Sequence, residues 1–204
     1  ADIDVLNPNT GTCPVFRSRR DAEINLAVYR RFPVLDREKE PRQNPWQVKF
    51  TRIFDMANDS KLFRRKAQLE KEGLALEGNV FKSSDDEWVP LYEAKMAHLF
   101  NHRYGDFALL EKGKKEHILP QPTIKNLEDP SYVTLPRFWV SNSEVAARFK
   151  GLWSRGWVLG WREVTDARSS ARTVVAAFVP RVAISHKFLL CLSGKDGKLT
   201  SCLG

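Results

Sequence analysis

The stretch SSDDEWVPLYEAK holds the densest group of ionisable residues in the chain that is arranged for chemistry. Asp85 and Asp86 precede an apolar run, and Glu93 and Lys95 follow it, two residues apart. This order matches the D…ExK pattern, in which carboxylates hold Mg²⁺ and a lysine stabilises charge at a phosphate. Asp86, Glu93 and Lys95 are the set a Mg²⁺-dependent nuclease would use. Against this, ExK is common by chance, the two aspartates fall in a polar turn, and VPLYEAKM reads as a strand whose charges pair with neighbours. His98 and His102 stand at i, i+4, which on a helix presents two imidazoles on one face, but a zinc site needs at least a third ligand. His117 and His186 are remote from them. Cys13, Cys191 and Cys202 are widely spaced without a CxxC pair, so they read as reduced thiols and not as a zinc or disulfide framework.

A second set of residues points to anions. In NPNTGTCPVFRSRRDAE, turn-forming residues lead into Arg17, Arg19 and Arg20. Ser18, with Asp21 three residues on, is a helix start. Cations in a first helical turn cost about 0.3–1 kcal/mol each, a cost that Asp21, Glu23 or a bound anion offsets. The free N–H groups of a helix start also suit a phosphate. NPNT at 7–10 is similar in form to the Asn-Pro catalytic tetrapeptide of N6-adenine methyltransferases. Thr10 stands where an aromatic must stack the flipped base, so this is not a catalytic loop. No GxGxxG or GxxxxGK[ST] loop is present. Arg137, Arg155 and Arg162 lie within two residues of Trp139, Trp153, Trp157 and Trp161. Such pairs can stack on bases or reach base edges. Most of these tryptophans are nevertheless expected inside, with the arginines partly free.

The elements that must position these residues are short. With 42% hydrophobic residues, including 12 Phe and 6 Trp, the chain can bury a core, so global disorder is excluded. No run of 18 apolar residues exists and the N-terminus lacks a signal-peptide pattern, so a cytoplasmic protein without a membrane span is expected. Residues 1–17 read as extended. Ala22, Leu26 and Tyr29 then share a helix face, and Pro33 stops the helix. WQVKF reads as a strand, and Asn58 or Asp59 as the start of a helix ending at Gly73. Residues 74–96 read as short strands and AHLFNHRYG as a short helix. Residues 111–136 form a Pro-rich linker or loop. PRFWV is strand-like, Ser141 with Glu144 is a capping box, and GWVLGWREV pairs with TVVAAFVPRVAI across TDARSSAR. The class is α+β, with a mixed, mainly antiparallel sheet and several short helices. Residues 1–45 form a lead-in segment with the first helix, and 46–204 one compact α+β domain. Thr200 or Ser201 reads as a helix start with nothing behind it, so the chain is expected to be cut from a longer one.

The net charge of +8 is uneven. Residues 1–72 hold 15 Lys+Arg against 11 Asp+Glu, 73–136 hold 7 against 10, and 137–204 hold 11 against 4. A polyanion would meet the outer thirds.

Five blocks carry a family resemblance: NPNTGTCPVFRSRRDAEINLAVYRRFPVL, KFTRIFDMANDSKLF, VPLYEAKMAHLFNHRY, LPRFWV and GWVLGWREVTDARSSARTVVAAFVPRVAISH. In this order they resemble the region downstream of the catalytic domain in large adenine-specific DNA methyltransferases of bacterial restriction–modification and phage-defence systems, Type IIG-like enzymes among them. The resemblance implies a target-recognition fragment that binds double-stranded DNA and has no catalytic residue. S-adenosylmethionine would belong to the upstream methyltransferase domain of the full-length enzyme, and this fragment needs no cofactor. A third reading makes the chain a protein-interaction module that docks other restriction or defence subunits. The candidate DNA-binding residues are Arg17, Arg19, Arg20, Lys95, His102, Arg103, Arg137, Arg162 and Arg172. Where the family reads Asn-Glu-Arg-Thr, this chain has Ser170-Ala171-Arg172-Thr173, which keeps Arg172 and Thr173 and lacks the carboxylate. The family continues past the position of Gly204 into further helices.

Overall fold

A computed structural model of the protein describes residues 2–32, 34–116, 118–165 and 174–203. In chain order its elements are α1 (Asp2–Leu6), α2 (Arg19–Arg31), β1 (Val48–Thr51), α3 (Lys66–Lys71), β2 (Ala75–Glu77), β3 (Val80–Lys82), β4 (Glu87–Tyr92), α4 (Ile124–Glu128), β5 (Trp139–Ser141), α5 (Asn142–Phe149), β6 (Trp157–Arg162), β7 (Ala176–Pro180), β8 (Ala183–Ile184), β9 (Phe188–Ser193) and α6 (Gly197–Ser201). The fold is α+β. Strand pairs β2/β3, β3/β4, β4/β5, β6/β7 and β6/β9 are antiparallel, and β4/β8 is parallel. The chain forms two units: residues up to Val48 together with 193–203, and residues 49–192. The sequence expectation placed the boundary after residue 45 and kept 193–203 with the larger part.

In the first unit, Ser18 has extended backbone and its hydroxyl accepts from Asp21 N–H at 3.1 Å, which starts α2 at the expected residue. Ala22, Leu26 and Tyr29 share its half-buried face. The lead-in is not wholly extended as expected. Residues 2–6 are helical, and Asn7 N–H donates to Ile3 O at 2.8 Å, continuing that turn. At the other end, Asp196 caps α6, accepting from Lys198 and Leu199 N–H at 2.6 and 3.2 Å. Thr200 does not start that helix; it lies inside it, buried, with its hydroxyl donating to Asp196 O.

The second unit contains a four-stranded sheet in the order β1-β9-β6-β7 and a sheet in the order β2-β3-β4-β5, with β8 beside β4. Leu91, Val158, Val179, Leu190 and Phe149 bring both sheets and α5 into one buried cluster. Each such side chain contributes about 1.5–3 kcal/mol on burial. A smaller cluster joins Leu69, Phe81 and Trp139. The Trp139 ring meets Phe81 edge-on at 5.2 Å, and its N–H donates to Asn79 O at 2.8 Å. β6 and β7 pair as the sequence implies, while most of their connection, 166–173, lies outside the described residues.

Four local expectations fail. The helix over 58–73 is broken into a 3-10 turn (Ser60–Leu62) and α3, because Arg64 exchanges backbone hydrogen bonds with Trp139 at 2.9 and 2.8 Å; the Asp59 side chain binds Arg148 and makes no capping bond. AHLFNHRYG is not helical: His98 and Asn101 exchange backbone hydrogen bonds across a tight turn. α5 begins after Ser141, but that hydroxyl donates to Asp86 and makes no capping bond. The loop expected over 111–136 contains α4, capped by Thr123.

Candidate nucleic-acid interface

Arg17, Arg19 and Arg20 are exposed around the start of α2, where Ser18 sets the backbone. Arg19 reaches one turn along the helix to Glu23 at 3.0 Å, but it is 93% exposed, and such a pair holds weakly. Arg17 and Arg20 have no ion-pair or hydrogen-bond partner for their guanidinium groups among the described residues. They can therefore meet an external anion without losing an internal contact.

The second unit treats its candidate cations differently. β4 delivers Glu93 to the start of a 3-10 turn (Ala94–Met96). Arg137, just ahead of β5, donates to Glu93 at 3.1 Å and also to Glu116. Lys95 lies 3.3 Å from the other Glu93 oxygen and donates to the Glu116 backbone carbonyl. Two cations thus face two carboxylates, with Glu93 only 12% and Arg137 23% exposed. Phe138 is approached by two guanidiniums, Arg137 at 4.7 Å and Arg65 at 4.9 Å. The basic–aromatic interleaving read from PRFWV is real, but it is used within the protein.

Asp86 stands before β4 and Glu93 after it, roughly 20 Å apart at about 3.3 Å per residue. Asp86 accepts from Ser141 and from Glu87 N–H. The D…ExK set of Asp86, Glu93 and Lys95 is therefore not brought together. The two-histidine face is absent too, since residues 98–101 form a turn in which the His98 ring stacks on Tyr104 at 4.5 Å. His186 Nδ1 accepts from Met56 N–H, and His117 lies outside the described residues. Among the described residues no three His, Cys, Asp or Glu gather as a metal-binding group. Burial raises the Cys191 thiol to about 11, while Cys13 and Cys202 are exposed.

Arg162, at the end of β6, donates from Nε to Ala94 O and Ala97 O at 3.1 and 3.0 Å and from Nη2 to Ala97 O at 2.7 Å. Desolvation holds its pKa below the usual arginine value. Arg103 donates to the carbonyls of Leu127, Asp129 and Tyr132 at 2.9, 3.1 and 3.0 Å, satisfying the chain where α4 ends. His102 is exposed, and Arg172 lies outside the described residues. Of the tryptophans flanking the arginines, Trp139 is fully buried, whereas Trp153, Trp157 and Trp161 are half-buried.

A cleft of about 480 Å³ opens beside this cluster, lined by Arg65, Lys66, Phe107, Leu110, Leu135 and Arg137 among others. Arg65 and Lys66 are exposed cations that the sequence reading passed over, although the run Arg64-Arg65-Lys66 marks them.

Comparison with protein-family models, with curated proteins and with solved structures finds no match.

Among the described residues, no helix is long and apolar enough to cross a membrane. The geometry supports anion binding at the head of α2 and internal charge neutralisation around Glu93.

Proposed function

We propose that this chain is a DNA-contacting target-recognition segment of a bacterial N6-adenine DNA methyltransferase and holds no catalytic group itself. The observation that carries the reading is the exposed arginine set at the head of α2, with Arg17 and Arg20 unpaired among the described residues, in a chain of net charge +8. Such cations neutralise phosphates and fix the register of a duplex without reading sequence. The order of the five family-like blocks supplies the enzyme class. On this reading, methyl transfer from S-adenosylmethionine to a flipped adenine belongs to a domain upstream of this chain. In the first unit, Arg17, Arg19 and Arg20 face the DNA. Lys95, Arg103, Arg137 and Arg162 hold the scaffold.

The test is the affinity of the 204-residue chain for duplex DNA across a salt series. If about 4–6 phosphates are neutralised, log K falls with log[salt] at a slope of roughly −4 to −5. An affinity independent of salt, or no duplex binding at low salt, overturns the proposal.

A further inference from the structure

The cleft beside the Glu93 cluster has a fixed frame. On one wall, Arg64 exchanges backbone hydrogen bonds with Trp139 at 2.9 and 2.8 Å, and Leu69 of α3 is buried against Phe81 and Trp139. Arg65 lies between these anchors with extended backbone, and its N–H donates to Gln68 Oε1 at 2.8 Å. On the other wall, buried Asp106 accepts from Ala108 N–H at 2.8 Å and from Leu135 N–H at 3.1 Å, and Phe107 N–H donates to Leu135 O at 3.2 Å. Backbone that is already held leaves little ordering to be done on binding.

The charges around this cleft are unequally matched. Arg137 is shared by Glu93 and Glu116, and Lys95 also pairs with Glu93, so these groups cancel one another. Lys66 reaches Glu70 only at 3.7 Å, with both side chains half exposed. Arg65 is exposed, and its guanidinium has no carboxylate or other hydrogen-bond acceptor among the described residues. It lies instead 4.9 Å from the Phe138 ring centroid. A guanidinium laid on a ring keeps its N–H edges open, as a fork that fits two oxygens of one anion. Lys66 beside it supplies a second cation, which suits the near-double charge of a phosphate group better than a carboxylate.

The rest of the lining is apolar, with Phe107, Leu110, Leu135 and Pro136. Glu116 engages Arg137 through Oε2, which leaves Oε1 without a partner among the described residues. A volume of about 480 Å³ lies within the range of small-molecule sites. A phosphate, a flat apolar ring and a hydrogen-bond donor to Glu116 are therefore what the cleft matches. We propose that it binds a nucleoside monophosphate, with the phosphate on Arg65 and Lys66, the base against Phe107 and Leu110, and a sugar or base donor on Glu116. The site is separate from the α2 arginines and does not rest on the DNA-contacting role. A free nucleotide and the phosphorylated end of a DNA strand share this chemistry.

The test is titration calorimetry of the full 204-residue chain with three probes: deoxyadenosine monophosphate, deoxyadenosine, and a short single-stranded oligonucleotide with a terminal phosphate. The monophosphate saturates one site with Kd below about 1 mM, and deoxyadenosine does not. Arg65→Ala weakens the binding roughly ten- to hundredfold, the scale of hydrogen bonds to a charged group. Arg65→Lys, which keeps the charge and loses the fork, falls between the two. The Arg65 side chain makes no hydrogen bond in the fold, so both variants keep the wild-type Tm. The double variant Arg17→Ala, Arg20→Ala binds the monophosphate as wild type does. Tighter binding of the oligonucleotide than of the monophosphate, with the same loss in Arg65→Ala, identifies a strand end as the source; equal or weaker binding identifies the free nucleotide. If neither phosphate-bearing probe saturates, if deoxyadenosine binds as well as its monophosphate, or if both Arg65 variants bind like wild type, the proposal is wrong.

Discussion

Arg20 and Arg162 show how one residue type divides by what its N–H groups meet. Arg162 places three hydrogen bonds on the Ala94 and Ala97 carbonyls, whereas the Arg20 side chain has no such partner among the described residues. Arg162→Ala leaves the Ala97 carbonyl without its donors, while Ala94 O keeps the Ala97 N–H, and should lower stability by about 1.5–3 kcal/mol in chemical denaturation. Arg20→Ala should leave the denaturation midpoint unchanged. The pair Asp59–Arg148 adds a pH dependence. Arg148 grips the carboxylate at 2.7 and 3.0 Å and lies 4.3 Å from the Phe54 ring. This hydrogen bond is the main cause that holds the Asp59 carboxyl below the usual aspartate value. A carboxyl with a depressed folded pKa stabilises above its unfolded value, and that stability is lost as pH falls through the folded value. Asp59→Asn should therefore be less stable than wild type at pH 7. The two melting curves should converge as the pH drops below about 4, near the unfolded carboxyl value. A gap that persists unchanged at pH 2.5 would show that the ion pair is not its source.

β6 is the strand on which the larger unit turns, hydrogen-bonded to β7 on one side and β9 on the other. Its Gly160 sits opposite Ala177 and Leu190. A Cβ built there would lie 2.6 Å from a Phe188 ring carbon and 2.7 Å from Leu189 O. The Phe188 ring is buried and Leu189 O is backbone, so neither yields cheaply. Gly160→Ala should cost about 1–3 kcal/mol as an overpacked site, read as a lower denaturation midpoint. A neutral result would mean that the Phe188 ring can turn aside. α2 contrasts with β6: none of its residues is buried, so surface substitutions on it should be tolerated and its charge can be varied freely.

Across the whole chain, the excess positive charge is not all available to a partner. Arg52 pairs with Glu163, which Lys187 also approaches at 3.3 Å, and Arg137, Arg148 and Lys95 face carboxylates. The number of phosphates neutralised should therefore be far below the 33 Lys+Arg residues. The double variant Arg17→Ala, Arg20→Ala should make the salt slope shallower by about two units while leaving the midpoint of unfolding in place. Parallel salt plots for variant and wild type would place the DNA surface elsewhere.

Features with short reach were legible in the sequence. Ser18 and Asp21 are three residues apart, and their capping bond forms as read. Gly73 follows α3 at φ +82°, a conformation a glycine accepts without strain. The segments rich in β-branched and aromatic residues form β6 and β7 and pair in antiparallel register. What failed depended on distant partners. Asp59 is a plausible cap until Arg148, 89 positions away, takes its carboxylate. Arg137 reads as a free cation beside tryptophans until Glu93, 44 positions away, and Glu116 close over it. His98 and His102 are the exception: a local four-residue turn, closed by its own backbone hydrogen bonds, replaces the helical face. Backbone propensity and capping are settled among near neighbours, so composition and spacing reveal them. Whether a charged group meets water, a carboxylate or a carbonyl is settled by which surfaces the fold brings together. For this chain that choice left Arg17 and Arg20 in solvent and enclosed Arg137 and Arg162.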